Sequence, residues 1–356
     1  MNLLDTLGIE LPIIQAPMAG VSSPAMAAAV ANAGALGSIG VGATDAPGAQ
    51  RMIEAVRQRS ERPFNVNVFC HQPAEADREV EAAWLADLRA CFQRFGAQPP
   101  AQLKEIYRSF IEDDAMLAML LAQRPRVVSF HFGLPDAPRI RALRDAGIVL
   151  LACATNLVEA AAAAAAGVQA VVAQGYEAGG HRGMFDPNVR DDCLSTSVLT
   201  QLLVRRLDIP VIAAGGIMNG TGIAAALRLG ASAVQLGTAF IGCLESDADT
   251  GYRQALVSDA AHHTVMTRAI SGRPARCLRN AFTELGAKLE SHRIPSYPIA
   301  YDAGKALNQA AKAAHDSGFG AQWAGQGAPL AREGLSAGQL IGMLAAELRR
   351  ATAPSD

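Results

Sequence analysis

The sequence predicts an α/β protein built as a (β/α)8 barrel of the TIM type, with a helical insertion and a C-terminal helical extension. Three observations carry this. Eight short apolar runs recur before about residue 245, and most close on glycine and pass into an alanine-rich stretch of helical pattern. Each run is nearly continuously apolar rather than alternating, as in parallel strands covered on both faces. The chain has 356 residues, 50% of them hydrophobic and 18% charged, enough for one large core.

In order, the runs are PIIQAPM (12–18), LGSIGVG (36–42), FNVNVF (64–69) and VVSFHFG (127–133), then VLLACAT (149–155), AVVAQG (170–175), PVIAAGG (210–216) and AVQLGTAF (233–240). Segments such as SPAMAAAVANAG and NLVEAAAAAAAG lie between them, where a closing glycine suits a helix C-cap. A doubly wound open sheet shares this alternation, because strand count does not show closure. Its main support is missing, however: GSIGVG at 37–42 has the wrong glycine spacing for GxGxxG. The barrel is placed at 1–245, interrupted by a charged helical insertion at about 72–124. Residues 246–356 form a C-terminal helical segment that shapes or covers the site, with no strand series of its own.

The net charge of −2 and the absence of a dense Lys/Arg stripe argue against nucleic acid or an acidic membrane as a partner. Six scattered cysteines with no CxxC pair indicate neither a disulfide framework nor a zinc knuckle and fit a reducing, cytoplasmic setting. The N-terminus lacks the pattern of a signal peptide. The most membrane-like stretch, LVEAAAAAAAGVQAVVA, is broken by Glu159, Gly167 and Gln169 and divides into a helix and a strand. Nothing decides between a monomer and a homodimer.

Ligands of such barrels bind at the C-terminal ends of the strands. The loops after strands seven and eight commonly hold phosphate on backbone N–H groups, and GGIMNGTG and LGT have the small residues this needs. His181 follows strand six in QGYEAGGHRG, behind Gly179 and Gly180, where the backbone can approach a ligand closely. A histidine there can move protons near neutral pH. Glu177 could orient it, although spacing within a loop decides nothing. Cys70 and His71 point to opposite faces if on a strand, which disfavours a nucleophilic pair. His262 and His263 read as solvated. No HExxH or carboxylate cluster indicates a metal. Tyr301 and Lys305, at i and i+4, share a helix face and either line a pocket or form a surface pair.

Taken together, QAPMAG, NVNVFCHQP, AQGYEAGGHRG, AAGGIMNG, QLGTAF, SGRPAR and QWAGQG resemble the nitronate monooxygenases, formerly called 2-nitropropane dioxygenases, and most nearly the bacterial class I type. The resemblance runs along nearly the whole chain. It implies an FMN barrel that oxidises alkyl nitronates, propionate 3-nitronate above all, and some nitroalkanes with O2. The implied products are a carbonyl compound and nitrite, formed through a flavosemiquinone. It also implies His181 as the catalytic histidine. FMN contacts would come from Asn67, Gln174, Gly179, Gly180, Gly215, Gly216, Gln235, Leu236, Gly237 and Thr238, with Met18 and the backbone at Gln15 beside the flavin ring. Tyr301 and Lys305 would line the substrate pocket. Alternatives on the same scaffold are an NAD(P)H-dependent FMN quinone or enoyl reductase, a flavin-free lyase using Lys305 as a Schiff-base amine, and a non-catalytic phosphate-ligand binder.

Overall fold

In the computed structural model, which describes residues 2–353, all eight predicted runs form strands of one parallel sheet. These are β1 (Ile13–Gln15), β2 (Gly37–Gly40), β3 (Phe64–Phe69), β4 (Val127–His131), β5 (Val149–Ala154), β6 (Ala170–Gln174), β8 (Val211–Ala214) and β9 (Ala233–Leu236). The sheet runs β1-β9-β8-β6-β5-β4-β3-β2. It closes on itself because Leu36, just before β2, accepts from Gln15 N–H at 2.9 Å and donates to Ile13 O at 3.0 Å. Closure removes both sheet edges and settles barrel against open sheet.

The barrel interior is filled from below by Ile14, Leu36, Val127, Leu151, Val172 and Ile212, with the short helix Leu3–Leu7 as its plug. Most of the surrounding helices start on a side-chain cap: Ser23, Asp45 and Asp136 each accept an N–H of the first turn, with proline inside that turn. These three caps follow the C-terminal ends of β1, β2 and β4 after short loops, whereas the connections after β3 and β6 are long.

The structure differs from the expected layout in one boundary and in the make-up of one segment. The helix Asp114–Gln123 belongs to the barrel ring, where Met116, Met119 and Leu120 join the main core, so the insertion ends near residue 112. The C-terminal segment also contains strand: Thr264–Thr267 (β10) and Ala275–Leu278 (β11) pair antiparallel, and β11 pairs with Gly180–His181 (β7). Gly180 and His181, behind β6, are therefore held in a short strand rather than a free loop. Insertion and extension share a second core, in which Trp84, Leu88 and Phe92 of the helix Arg78–Arg94 meet Phe282, Leu307 and Ala311. The final helix, Ala337–Thr352, instead packs on the ring helices Pro24–Asn32 and Gly220–Arg228. Among the described residues, no helix is long and apolar enough to cross a membrane.

Candidate active site

The C-terminal strand ends open into a cavity of about 590 Å³, walled on the far side by the helix Ile299–Ala313 and by residues 320–323. Met18, Asn67, Gln174, Gly179, Gly180, His181, Gly215, Gly216, Gln235, Leu236, Gly237, Thr238, Tyr301 and Lys305 all line it. Gln15 does not. It is fully buried beneath the β1 loop, where its Nε2 donates to Ser22 Oγ at 2.8 Å and to Ala16 O, and its Oε1 accepts from Ser38 N–H. Ser22 Oγ in turn accepts from Met18 N–H, so Gln15 shapes the wall from behind.

The glycines before His181 have separate roles. A Cβ on Gly179 would lie 2.4 Å from Gly325 N, so only glycine lets residues 178–180 meet the QWAGQG turn. Gly180 has φ +71, which side-chain-bearing residues rarely adopt. Beyond them, the fully buried Arg182 forks onto Asp191 at 2.7 and 3.0 Å and also reaches Gln174 O and Gly175 O. Gln174 Nε2 donates to His181 O at 3.0 Å. Backbone and side chains thus hold His181 in one place. Glu177 plays no part in this, because its carboxylate accepts from Thr196 N–H and Oγ at the start of the helix Thr196–Val204. The partner of His181 is Ser271, whose Oγ lies 2.9 Å from Nε2.

Around the imidazole, the expected Tyr301 is joined by Trp323, Tyr297, Phe132 and His131, which sequence reasoning did not single out. Trp323, Tyr297, Phe132 and Tyr301 surround it with ring centroids 5.0, 5.5, 5.6 and 6.1 Å away. His131 and His71 pack against Phe132, and Tyr107 of the insertion reaches the same cavity. Phe132 has φ +74, a strained conformation for a bulky residue, which turns its ring between the three histidines. Burial, then His131, Arg273 and His71, pushes His181 down to about 3. Burial and Arg273 likewise depress His131 to about 3 and His71 to about 4. All three imidazoles are neutral at physiological pH. They do not converge on a metal: among the described residues, no group of three or more His, Cys, Asp or Glu is placed to hold one.

Arg273 is a source of positive potential beside the three histidines. It is buried with its guanidinium 4.3 Å over the Phe132 ring, donates to Met184 O, and has no carboxylate at ion-pair distance among the described residues. Burial pulls it down to about 10, which leaves it cationic. Across the cavity, just past the ends of β8 and β9, the N–H groups of Gly216, Gly237 and Thr238 have no acceptor among the described residues. Thr238 Oγ accepts from Gly325 N–H at 3.0 Å, which ties this corner to the same turn that meets Gly179. Free N–H groups at the ends of the last two barrel strands are donors of the kind that suit an anion.

A closed barrel whose C-terminal strand ends open into a cavity, with free N–H groups on one side and a neutral histidine on the other, has the layout of (β/α)8-barrel enzymes. The family model for "Nitronate monooxygenase" matches residues 1–347. A nitronate monooxygenase of Paraburkholderia phytofirmans is 60% identical over 348 residues, 98% of this chain and 95% of that one. One from Pseudomonas aeruginosa is 54% identical, covering 96% and 97%. Among solved structures, the nitroalkane oxidase of Streptomyces ansochromogenes superposes with a TM-score of 0.89 at 42% identity, covering 98% of each chain. The chain belongs to the nitronate monooxygenase family.

Proposed function

We propose that this chain is an FMN-dependent nitronate monooxygenase that oxidises alkyl nitronates, propionate 3-nitronate among them, and some neutral nitroalkanes with O2, yielding a carbonyl product and nitrite. The observation that carries the reading is the placement of His181, a neutral imidazole at the wall of the cavity with the buried Arg273 behind Phe132 and Lys305 in the lining.

The residues present fit FMN. The free N–H groups of Gly216, Gly237 and Thr238 suit its phosphate, and Asn67 and Gln174 offer polar side chains on the barrel wall. Met18 lends an apolar surface beside Gly237. When bound, FMN supplies the redox chemistry with O2, and the protein supplies placement and electrostatics. A neutral nitroalkane must lose its α-proton, and an unprotonated His181 can take it. A nitronate is already an anion and needs donors instead. Burial holds Tyr107, Tyr297 and Tyr301 in the phenol form, Tyr301 at about 12, so each keeps a proton to offer. Tyr301 OH accepts from Trp323 Nε1 at 3.3 Å, which leaves its own proton for a ligand. Six unpaired cysteines suit a reducing, cytoplasmic setting.

The test is anaerobic mixing of purified protein with propionate 3-nitronate and, separately, with NADH, followed by admission of O2. The expected result is a yellow protein whose flavin absorbance responds to the nitronate and not to NADH, with nitrite released once O2 enters. A colourless protein, or full bleaching by NADH alone, overturns the reading.

A further inference from the structure

Ser271 is completely buried and does not line the cavity, yet its hydroxyl is the partner of the histidine that does. We propose that Ser271 is a positioning residue that holds neutral His181 as the tautomer protonated on Nε2, leaving Nδ1 as the lone-pair acceptor available to the cavity.

The argument is a count of donors and acceptors. Ser271 Oγ lies 2.9 Å from His181 Nε2, 3.3 Å from Arg273 O and 3.5 Å from Arg273 N. A serine hydroxyl has one proton and two lone pairs. The Arg273 carbonyl can only accept, so it takes the hydroxyl proton. The Arg273 N–H can only donate, so it takes one lone pair. The remaining lone pair faces His181, and Nε2 must bring the hydrogen. The opposite assignment turns the hydroxyl proton onto Nε2 and strands the Arg273 carbonyl, which has no other donor among the described residues.

The backbone makes this placement repeatable. Ala275 of β11 pairs with His181 of β7, and Arg182 N–H donates to Pro274 O at 2.8 Å. Four residues before Ala275, the turn carrying Ser271 is closed by Ser271 N–H and Gly272 N–H onto Arg268 O. Gly272 has φ +90, and a Cβ there would lie 2.4 Å from Pro295 O, so the turn is tightly seated. One antiparallel register therefore sets both ring and hydroxyl. His181 Nδ1 has no hydrogen-bond partner among the described residues.

The kinetic consequence rests on the function proposed above; the tautomer itself does not. With a neutral nitroalkane, the α-carbon–hydrogen bond breaks and its electron pair becomes the carbon–nitrogen double bond of the nitronate. The proton goes to Nδ1, giving an imidazolium that keeps its Nε2–H on Ser271. His131, His71 and Arg273 face this ring without supplying a base that competes for the proton, the first two being neutral and the third cationic. A preformed nitronate needs no such step.

The experiment uses the full-length protein labelled with 15N-histidine, with the His181 signals assigned by their loss in His181→Asn. Wild type is expected to show the one-bond proton coupling on Nε2 and a pyridine-type Nδ1. A proton on Nδ1, or averaging between the two forms, overturns the proposal. In Ser271→Ala, tautomer averaging is expected, and kcat/KM for nitroethane falls about tenfold while that for ethylnitronate changes by less than about twofold. Ser271→Thr restores both readouts. Equal losses on both substrates with no rescue by threonine reduce Ser271 to a structural residue. A protein that turns over neither substrate defeats the functional reading, while the wild-type spectrum still decides the tautomer.

Discussion

His181 and Lys305 occupy the same cavity, but different demands on a ligand fall to each. His181 is neutral, and in the proposed function its service is to take a proton, so the class of substrate decides whether it matters. His181→Asn is expected to lower kcat/KM for neutral nitroalkanes by about 10²–10⁴, the usual worth of a positioned base, and that for preformed nitronates by less than about tenfold. Steady-state rates on nitroethane and ethylnitronate, side by side, check this; equal losses would remove His181 as the base. Lys305 brings charge. Its ammonium lies 4.8 Å from the Tyr107 ring and 5.6 Å from the Tyr301 ring, and it forms no ion pair among the described residues. Burial pulls its pKa below the usual lysine range, against the opposing pull of Asp302. A cation in that position suits the second negative charge of propionate 3-nitronate. Lys305→Met is expected to raise KM for that substrate about fivefold at unchanged kcat, the value of one solvent-screened pair, and to leave ethylnitronate alone. A parallel rise for both substrates would assign Lys305 to packing.

At the scale of elements, the site is a seam between the turn at 323–327 and the strand ends. Gly179→Ala puts a Cβ against the backbone of Ala324 and Gly325. The two segments must part, and a stability loss of about 1–3 kcal/mol is expected, together with weakened flavin retention. Thermal melts and the flavin-to-protein absorbance ratio measure both. The control is Gly342→Ala, in the exposed face of the helix Ala337–Thr352 with no atom near its added Cβ, where about 1 kcal/mol of stabilisation is expected. Gly216→Val forces a branched side chain onto φ +69 at the free N–H groups and is expected to lower flavin occupancy; an unchanged ratio would move the phosphate site elsewhere. The elements of this seam differ in how readable they were. Barrel strands announce themselves because burial on both faces leaves continuous apolar runs. β7, β10 and β11 are two to four residues long and pair with partners up to about a hundred positions away, which local periodicity does not detect. Ser271 was hidden for the same reason, since a register places it beside His181. His131 ends an apolar run like any other strand residue, and its role emerges only when Phe132 turns at positive φ. The insertion's end was overrun because the helix Asp114–Gln123 follows a charged helix with no intervening strand, so helical pattern alone did not separate ring from insertion.

For the whole molecule, the three neutral histidines couple the site to acid stability. His71 follows β3, His131 ends β4 and His181 lies in β7, so the cluster joins the barrel to the C-terminal extension. In the unfolded chain each titrates near the ordinary 6.5, whereas in the fold burial and Arg273 hold them at about 4, 3 and 3. Between those values the unfolded state binds more protons than the native one, so stability rises with pH and is lost as pH falls below 6.5. Each group contributes up to about 1.4 kcal/mol per pH unit once its unfolded form is fully protonated, or roughly 4 kcal/mol per unit for all three. Against a total stability of about 5–15 kcal/mol, unfolding is expected between about pH 4 and 5. The measurement is the thermal midpoint from pH 7.5 to 4.5 for the wild type, His71→Asn and His131→Asn. The variants need not match the wild type at neutral pH, because the prediction concerns slope: each should flatten the decline below pH 6 by about a third. A wild-type midpoint that stays level to pH 4.5 would mean that the cluster opens to solvent or protonates in place, and His181 would then carry a charge when substrate arrives. A nitronate bound beside His181 acts in the opposite direction. Its negative charge favours the imidazolium and raises the folded pKa toward 6.5. Protection by a non-reactive nitronate analogue is therefore expected to grow as pH falls, and protection that does not change with pH would separate the anion's position from the imidazole.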